Sequence, residues 1–238
     1  MIADELQLAE EIAEVELTTL SQQFEHAAPE DILRWAIEEF GPDVALATGF
    51  GAEGCVLIDM LARIDRRARI FYLDTDLLFP ETYELTYRLA ARYQVSFERR
   101  ASQITLAEQE KAYGEKLWQR QPDKCCQLRK VEPLLETLAD LRAWITAIRR
   151  DQSPARATAR VIERDRKFGL VKINPLVKWS SIDVWNYIFK HDVPYNSLHD
   201  RGFSSIGCAP CTTAVQPGED PRAGRWRGGI KTECGLHQ

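Results

Sequence analysis

Strand-like and helix-like patterns alternate along most of this chain, and that alternation narrows its possible folds more than any other feature. Residues 44–47 form a short apolar run ending in the glycine-bearing turn Thr48-Gly49-Phe50-Gly51-Ala52-Glu53-Gly54. An apolar-rich helical stretch follows at 56–64, then a strand pattern at 69–73 and a helix over about 80–93. Further strand patterns fall at 95–98, 143–148, 161–163 and 171–173, with a helix at 182–190. Strands separated by helices predict an α/β fold, a Rossmann-like and mostly parallel sheet with helices on both faces. Ligands of such sheets collect beyond the carboxyl ends of the strands, so the turns after Ala47 and Leu73 are expected on the ligand side.

Two helical patterns precede the sheet. Leu8, Ile12 and Val15 share one face of the first. The second starts after Pro29, with Glu30 and Asp31 in the first turn, where the helix dipole favours acids. Ile32, Leu33, Ala36, Ile37 and Phe40 should line its buried side, and Gly41-Pro42 ends it. No repeat, low-complexity tract or Ser/Gly-rich linker interrupts the chain. One domain over residues 1–238 is therefore expected, with 1–40 as a helical lead-in and 212–238 as a tail. The apolar runs are too short to cross a membrane and no secretory pattern is present, so a cytoplasmic location is expected.

Charge is unevenly spread. The net charge of −5 argues against a general nucleic-acid binder. Residues 1–17 carry six acids (Asp4, Glu5, Glu10, Glu11, Glu14, Glu16) and no base. Residues 221–238 carry Arg222, Arg225, Arg227 and Lys231 against Glu233 alone. Such a cationic end suits a small anionic ligand, the plain alternative being a solvated tail.

Six cysteines add a second constraint. In a cytosolic chain their grouping points to metal or redox chemistry rather than a disulfide framework. Cys125-Cys126 and Cys208-Ala209-Pro210-Cys211 offer four thiolates that can bind zinc or an iron–sulfur cluster. Adjacent cysteines diverge on a helix or strand and do not readily meet at one ion. A cubane presents separate irons to them, which favours a 4Fe–4S cluster over zinc. Cys234 is different: it stands four residues from the end of a polar, basic segment. There cationic neighbours would stabilise the reactive thiolate. Cys55 opens an apolar helix and reads as core, as do Trp35, Trp144, Trp179 and Trp185. His199 fits a structural or a substrate-facing role equally.

Taken together, Cys-Cys-Gln-Leu-Arg-Lys-Val (125–131), Gly-Cys-Ala-Pro-Cys (207–211) and Glu-Cys-Gly-Leu-His (233–237) resemble the signature of assimilatory adenylyl-sulfate (APS) reductases. Leu73-Asp74-Thr75, Pro80-Glu81-Thr82-Tyr83, Arg149-Arg150-Asp151-Gln152-Ser153 and Pro194-Tyr195-Asn196 agree, and the resemblance runs from about residue 44 to 237. It implies a fold like that of the adenine nucleotide alpha-hydrolases and PP-loop enzymes. The S-G-G-x-D-S phosphate loop of ATP pyrophosphatases is missing at 49–55, so adenylyl transfer from ATP is not expected. Four cluster cysteines imply APS as substrate rather than its 3′-phosphorylated form (PAPS). A PAPS or dual-substrate reductase is the near alternative, and a zinc-stabilised nucleotide-binding module without catalysis the distant one.

The resemblance also assigns roles. Cys234 is the nucleophile on a mobile tail (212–238), forming a thiosulfonate that thioredoxin or glutaredoxin resolves to sulfite. Lys130, Arg222, Arg225 and His237 neutralise the substrate, with Arg149 a further candidate. Cys125, Cys126, Cys208 and Cys211 hold the 4Fe–4S cluster. APS and its product AMP would lie across the two βα turns, with Phe50 offering a ring surface, Gly51 a close backbone approach, and Leu73 and Thr75 the adenine and ribose side. Two positions depart from the family pattern: Thr48-Gly49-Phe50 replaces a serine-rich turn, and Asp76 stands where glycine is usual. The resemblance further suggests a homo-oligomer.

Overall fold

The computed structural model describes residues 14–229, 231 and 233–236. Residues 14–24 are helical (α1), and Leu17, Leu20 and Phe24 pack on the core while Val15 is exposed. The inward stripe of this helix therefore excludes Val15, contrary to the sequence reading; Leu8 and Ile12 lie outside the described residues. Helix α2 (Pro29–Phe40) starts with proline at its first position and buries Ile32, Leu33, Ala36 and Phe40. Gly41, at φ 53°, ends it.

The sheet has six strands in the order β3-β2-β1-β4-β6-β5. They are β1 (Val44–Thr48), β2 (Arg69–Asp74), β3 (Glu98–Ala101), β4 (Ala143–Ile145), β5 (Ile162–Asp165) and β6 (Leu170–Ile173). All neighbouring pairs are parallel except β5 with β6, which form an antiparallel hairpin at one edge. Helices α3 (Ala52–Ile64), α4 (Pro80–Tyr93) and α9 (Ser181–His191) connect or follow the strands. Between β3 and β4 the chain forms α5 (Leu106–Tyr113), α6 (Leu117–Arg120), α7 (Pro122–Cys126), a π-helical turn at Gln127–Val131 and α8 (Glu132–Leu138).

Strand side chains alternate between the two faces. Val44 and Leu46, Ile70 and Tyr72, and Ala143 and Ile145 join α2, α3 and α9 in the larger core. Ala45, Phe71 and Trp144 meet Leu134 and Leu138 of α8 on the other face. Each fully buried Leu or Ile contributes roughly 1.5–3 kcal/mol, so both layers hold the sheet. Among the described residues no helix is long and apolar enough to cross a membrane.

Strand β5 spans Ile162–Asp165 rather than 161–163, the strands expected at 44–47, 69–73 and 171–173 each lengthen by one residue, and the largest differences from expectation are at β3 and β4. The third strand falls at Glu98–Ala101 rather than 95–98. Val95 and Phe97 are apolar because they pack into the core on the way in. The paired residues are polar because β3 is an edge strand, where charges are tolerated and discourage further pairing. Strand β4 stops at Ile145 rather than 148, and the chain continues as a loop to Arg149.

Candidate active site

The loops after β1, β2 and β4 lie at the same end of the sheet, because those strands are parallel neighbours. In the first loop Phe50 takes a left-handed backbone (φ 56°), and its N–H donates to Thr48 Oγ1 at 3.0 Å. That conformation turns its ring inward, where it is 1% exposed and packs edge-on against Tyr72 and Phe97. Phe50 therefore offers no ring surface to a ligand, which corrects the sequence expectation. Gly51 precedes α3 with an ordinary extended backbone, and an added Cβ would meet only Glu53 Oε2 at 3.6 Å.

Arg149 reaches back to this turn. Its Nε donates to Glu53 Oε1 at 2.9 Å, and its Nη1 pairs with Asp151. Gln152 Nε2 donates to the same Glu53 oxygen at 3.0 Å. Arg149 is thus buried with two carboxylates beside its charge, and it ties the 149–152 loop to the start of α3.

Asp76, in the second turn, occupies the left-handed region (φ 55°) that a glycine would adopt without strain. Its backbone N–H donates to Asp74 Oδ1 at 2.9 Å, and its carboxylate pairs with Arg99 at 2.8 Å and Arg129 at 2.9 Å. Burial works to raise the pKa of Asp74, but hydrogen bonds from Arg99, Tyr83 and the Asp76 backbone hold it below the usual carboxylate value. Leu73 is half-buried against the α8 face. Thr75 is fully buried, with its hydroxyl 3.2 Å from Cys208 Sγ. This side chain faces the cysteine pocket.

Cys125 and Cys126 end α7, while Cys208 and Cys211 bracket the short turn Ala209–Cys211. The turn is stitched to the β2 loop by Ala209 N–H donating to Leu77 O at 2.7 Å and by a bridge between Leu78 and Cys208. All four thiols line one pocket with Thr75, Leu77, Trp118, Arg129, Lys130 and Trp226. Burial, and then mutual repulsion of the thiolates, pushes Cys125 and Cys211 up to about 11. Among the described residues no three His, Cys, Asp or Glu side chains are placed to hold a single metal ion. The donor set is all sulfur, it comes from two segments, and two cations stand beside it. Such a donor set fits a thiolate-bound metal ion or iron–sulfur cluster.

The C-terminal segment docks against this pocket. Lys231 pairs with Asp123 and lies 5.5 Å over the Trp226 ring. The Glu233 carboxylate meets Arg156 and Arg222, both at 3.0 Å, and accepts from Ser153 Oγ at 3.2 Å. Lys167 Nζ donates to Gly235 O, and Leu236 packs on the α8 face. These contacts hold Cys234 half-buried between them. Burial tends to raise the pKa of its thiol, but Lys130, the Leu236 N–H and Arg225 together bring it below the ordinary thiol value. Lys130 is stabilised as a cation despite its own burial, because Cys208, Cys234 and Cys126 surround it. Lys130 thus connects the cysteine pocket electrostatically to the tail thiol.

Arg225 depends on a glycine for its place. An added Cβ at Gly207 would stand 2.3 Å from Arg225 Nη2 and 2.6 Å from Cζ. The guanidinium lies 4.6 Å over the Trp226 ring, and its Nε is buried without a hydrogen-bond partner. Burial lowers the pKa of Arg222, with Glu233 opposing. His237 lies outside the described residues. His199 is packed against Trp185 at 5.2 Å and is a buried aromatic-cluster residue. Sequence reasoning missed Glu233, Arg156 and Arg129. Glu233 sits inside the recognised tail motif, but Arg156, which faces it, lies 77 residues away, and Arg129 binds Asp76 and Gln109 instead.

The phosphoadenosine phosphosulfate reductase domain family matches residues 43–214. An adenosine 5′-phosphosulfate reductase of Salinibacter ruber is 50% identical over 222 residues, covering 93% of this chain and 88% of its own. A phosphoadenosine 5′-phosphosulfate reductase of Gloeobacter violaceus is 48% identical over 229 residues, covering 95% of each chain. The crystal structure of a phosphoadenylyl-sulfate reductase from Candida auris, a phosphate complex, superposes with a TM-score of 0.74 at 32% identity. That match covers 84% of this chain and 96% of the other.

Proposed function

The chain belongs to the phosphoadenosine phosphosulfate reductase domain family, and on that premise we propose that it reduces adenylyl sulfate to sulfite and AMP with Cys234 as nucleophile. At the family level it is an oxidoreductase of sulfate reduction. The observation that carries the finer reading is the convergence of Lys130 and Arg225 on Cys234 beside a pocket lined by four other cysteines.

The Cys234 thiolate attacks the sulfur of the phosphosulfate. A sulfur–sulfur bond forms, the sulfur–oxygen bond to phosphate breaks, and AMP leaves with the electron pair. AMP is a good leaving group, so no strong acid is needed. The obstacle is charge, since an anion must approach a polyanion, and preorganised cations remove it. Lys130 and Arg225 act on the thiol through their charge, and Arg222 is held on Glu233, the residue before it; His237 completes the set as the resemblance assigns it. A dithiol reductant, thioredoxin or glutaredoxin, then attacks Cys234 Sγ and expels sulfite. Its second thiol opens the mixed disulfide, restoring Cys234 and leaving the reductant oxidised by two electrons. The nucleotide would lie across the β1 and β2 turns, at Gly51 and Leu73, with Arg149 bracing the first turn through Glu53.

Cys125, Cys126, Cys208 and Cys211 would hold a 4Fe–4S cluster. When bound, that group tunes the charge around Lys130 and orders the two cysteine segments rather than relaying electrons. We assign residues 1–238 to one domain with 1–40 as a helical lead-in, residues 212–238 to a catalytic tail that moves between substrate and reductant, and the enzyme to the cytoplasm. Homo-oligomeric assembly remains part of the same proposal.

Incubation with APS and no reductant, followed by mass spectrometry, tests the mechanism. An SO₃ adduct on Cys234, missing from Cys234→Ser, is expected; its absence from active wild-type enzyme refutes the route. The Gloeobacter violaceus relative favours a second reading, reduction of PAPS or of both nucleotides. Steady-state kinetics with each nucleotide separates the two, and a clear PAPS preference overturns the APS assignment.

A further inference from the structure

Glu233 is the residue immediately before the thiol, and its carboxylate is one of the most heavily engaged in the chain. Arg156 Nη2 and Arg222 Nη2 both reach Oε2 at 3.0 Å, and Ser153 Oγ donates to Oε1 at 3.2 Å. The Glu233 side chain is 7% exposed and that of Arg156 10%. Charge-assisted hydrogen bonds are stronger than neutral ones, and removing one partner of a shielded pair leaves the other charge uncompensated. Arg156 in turn donates to Gln152 Oε1, and Gln152 Nε2 donates to Glu53 at the start of α3. A continuous polar chain therefore runs from Glu233 through Arg156 and Gln152 to the β1 turn. Other contacts also hold the tail: Lys231 on Asp123 and the Trp226 ring, Lys167 on the Gly235 carbonyl, and Leu236 on an apolar face; the Glu233 carboxylate differs from them in meeting two arginines from different segments.

We infer that Glu233 is the positioning residue of the tail, a carboxylate latch on Arg156 and Arg222 that holds Cys234 against Lys130 and Arg225. This rests on the reading of Cys234 as the sulfur-attacking thiol. Two demands meet in that thiol. It must be held rigidly for attack on a buried anion, where orientation contributes much of the rate. It must then become accessible to a bulky protein reductant. A latch of a few hydrogen bonds serves both needs, because it is strong enough to define the closed geometry and weak enough to open. Glu233 takes no part in the bond changes.

The latch is tested with the intact, cluster-loaded protein in two assays. The first measures alkylation of Cys234 by iodoacetamide without substrate, located by peptide mass spectrometry, in wild type, Glu233→Gln, Arg156→Gln and the double variant. Releasing the latch raises labelling about tenfold in Glu233→Gln and by less in Arg156→Gln, where Arg222 still holds the carboxylate, and the double variant does not exceed Glu233→Gln, because Arg156 acts through that carboxylate. The two substitutions alter local charge in opposite directions, so a purely electrostatic effect would move labelling oppositely. That outcome, or unchanged labelling, overturns the proposal. The second assay compares single-turnover adduct formation with sulfite release from preformed adduct by a small dithiol. The latch predicts slower formation with release unchanged or faster; equal slowing of both steps indicates a merely structural role and overturns it. If wild-type Cys234 forms no adduct, the parent mechanism fails, and the labelling assay still decides the latch.

Discussion

The carboxylate of Asp76 lies 2.9 Å from the guanidinium of Arg129, whose side chain is 1% exposed, and it reaches that arginine from a left-handed backbone at φ 55°. Arg129 also donates to Gln109 Oε1, Thr75 O and Ile104 O, so it fastens the β2 turn to the segment that carries Cys125 and Cys126. The left-handed conformation costs a non-glycine residue about 1–2 kcal/mol. The ion pairs with Arg99 and Arg129 offset that cost, so an aspartate is accommodated there.

Substitution at Asp76 should therefore separate the two terms. Asp76→Ala keeps the strain and leaves Arg129 with a buried, unpaired charge. It is expected to lower the unfolding free energy by about 2–3 kcal/mol, less than the roughly 3–5 kcal/mol of a fully buried pair because Asp76 is partly exposed. Asp76→Gly relieves the strain and should lose only about 1–2 kcal/mol. Urea denaturation of the two variants measures the difference, and equal losses would remove strain from the account.

Acid stability should report Asp74. Its pKa is depressed in the folded state, since Arg99, Tyr83 and the Asp76 N–H outweigh burial. A depressed carboxylate binds its proton more weakly folded than unfolded. Its stabilising contribution is present above the unfolded value of about 4 and is lost as pH falls through the lower folded value. Asp74→Asn should flatten this acid limb, leaving the curve near pH 7 lower and its fall toward pH 2 shallower. An unaltered slope below pH 4 would contradict this.

The sheet and the cysteine grouping were legible in the residues because both depend on local patterns. Apolar runs in 44–48 and 69–74 face two packed layers, so they read as strands however the rest of the chain is arranged. Glu98–Ala101 could not be read that way, since an edge strand is polar for the same reason that it is an edge. A ring in a glycine-rich turn, such as that of Phe50, resembles a ligand surface in sequence. The positive φ of Phe50, which sends the ring into the core, has no sequence signature. Nor is the docking of the tail local: Glu233 meets Arg156 across 77 residues, and no spacing rule links them.

Two glycines near the site should fail in different ways. At Gly224 an added Cβ would come 2.0 Å from the Thr213 carbonyl oxygen, a backbone atom that cannot turn aside. Gly224→Ala is therefore expected to destabilise the fold by about 2–4 kcal/mol through overpacking. At Gly207 the obstructed atoms belong to the end of the Arg225 side chain, which can swing away. Gly207→Ala should leave the melting temperature within a few degrees of wild type while slowing adduct formation roughly 10- to 100-fold, as Arg225 leaves Cys234. Thermal melts and single-turnover rates on both variants distinguish these effects, and equal melting temperatures would refute the contrast.

Lys130 is the sharpest test of how the thiol is activated. Burial acts to raise the Cys234 pKa, and Lys130 heads the interactions that reverse it, ahead of the Leu236 N–H and Arg225. Removing that cation in Lys130→Gln leaves burial less opposed, so the thiol pKa must move upward. The thiolate is the form that reacts, and its fraction at pH 7 falls about tenfold for each unit of that rise once the pKa lies above neutrality. The pH profile of iodoacetamide labelling at Cys234 should accordingly shift to higher pH. Adduct formation from APS should drop further, by roughly 10²–10³, because the same ammonium group also faces the charge that develops on the substrate. Restoring a cation in Lys130→Arg should recover part of the labelling shift but less of the rate, since a planar guanidinium cannot occupy the place of a compact ammonium. A labelling profile unmoved in Lys130→Gln would show that the Leu236 N–H and Arg225 suffice to activate the thiol.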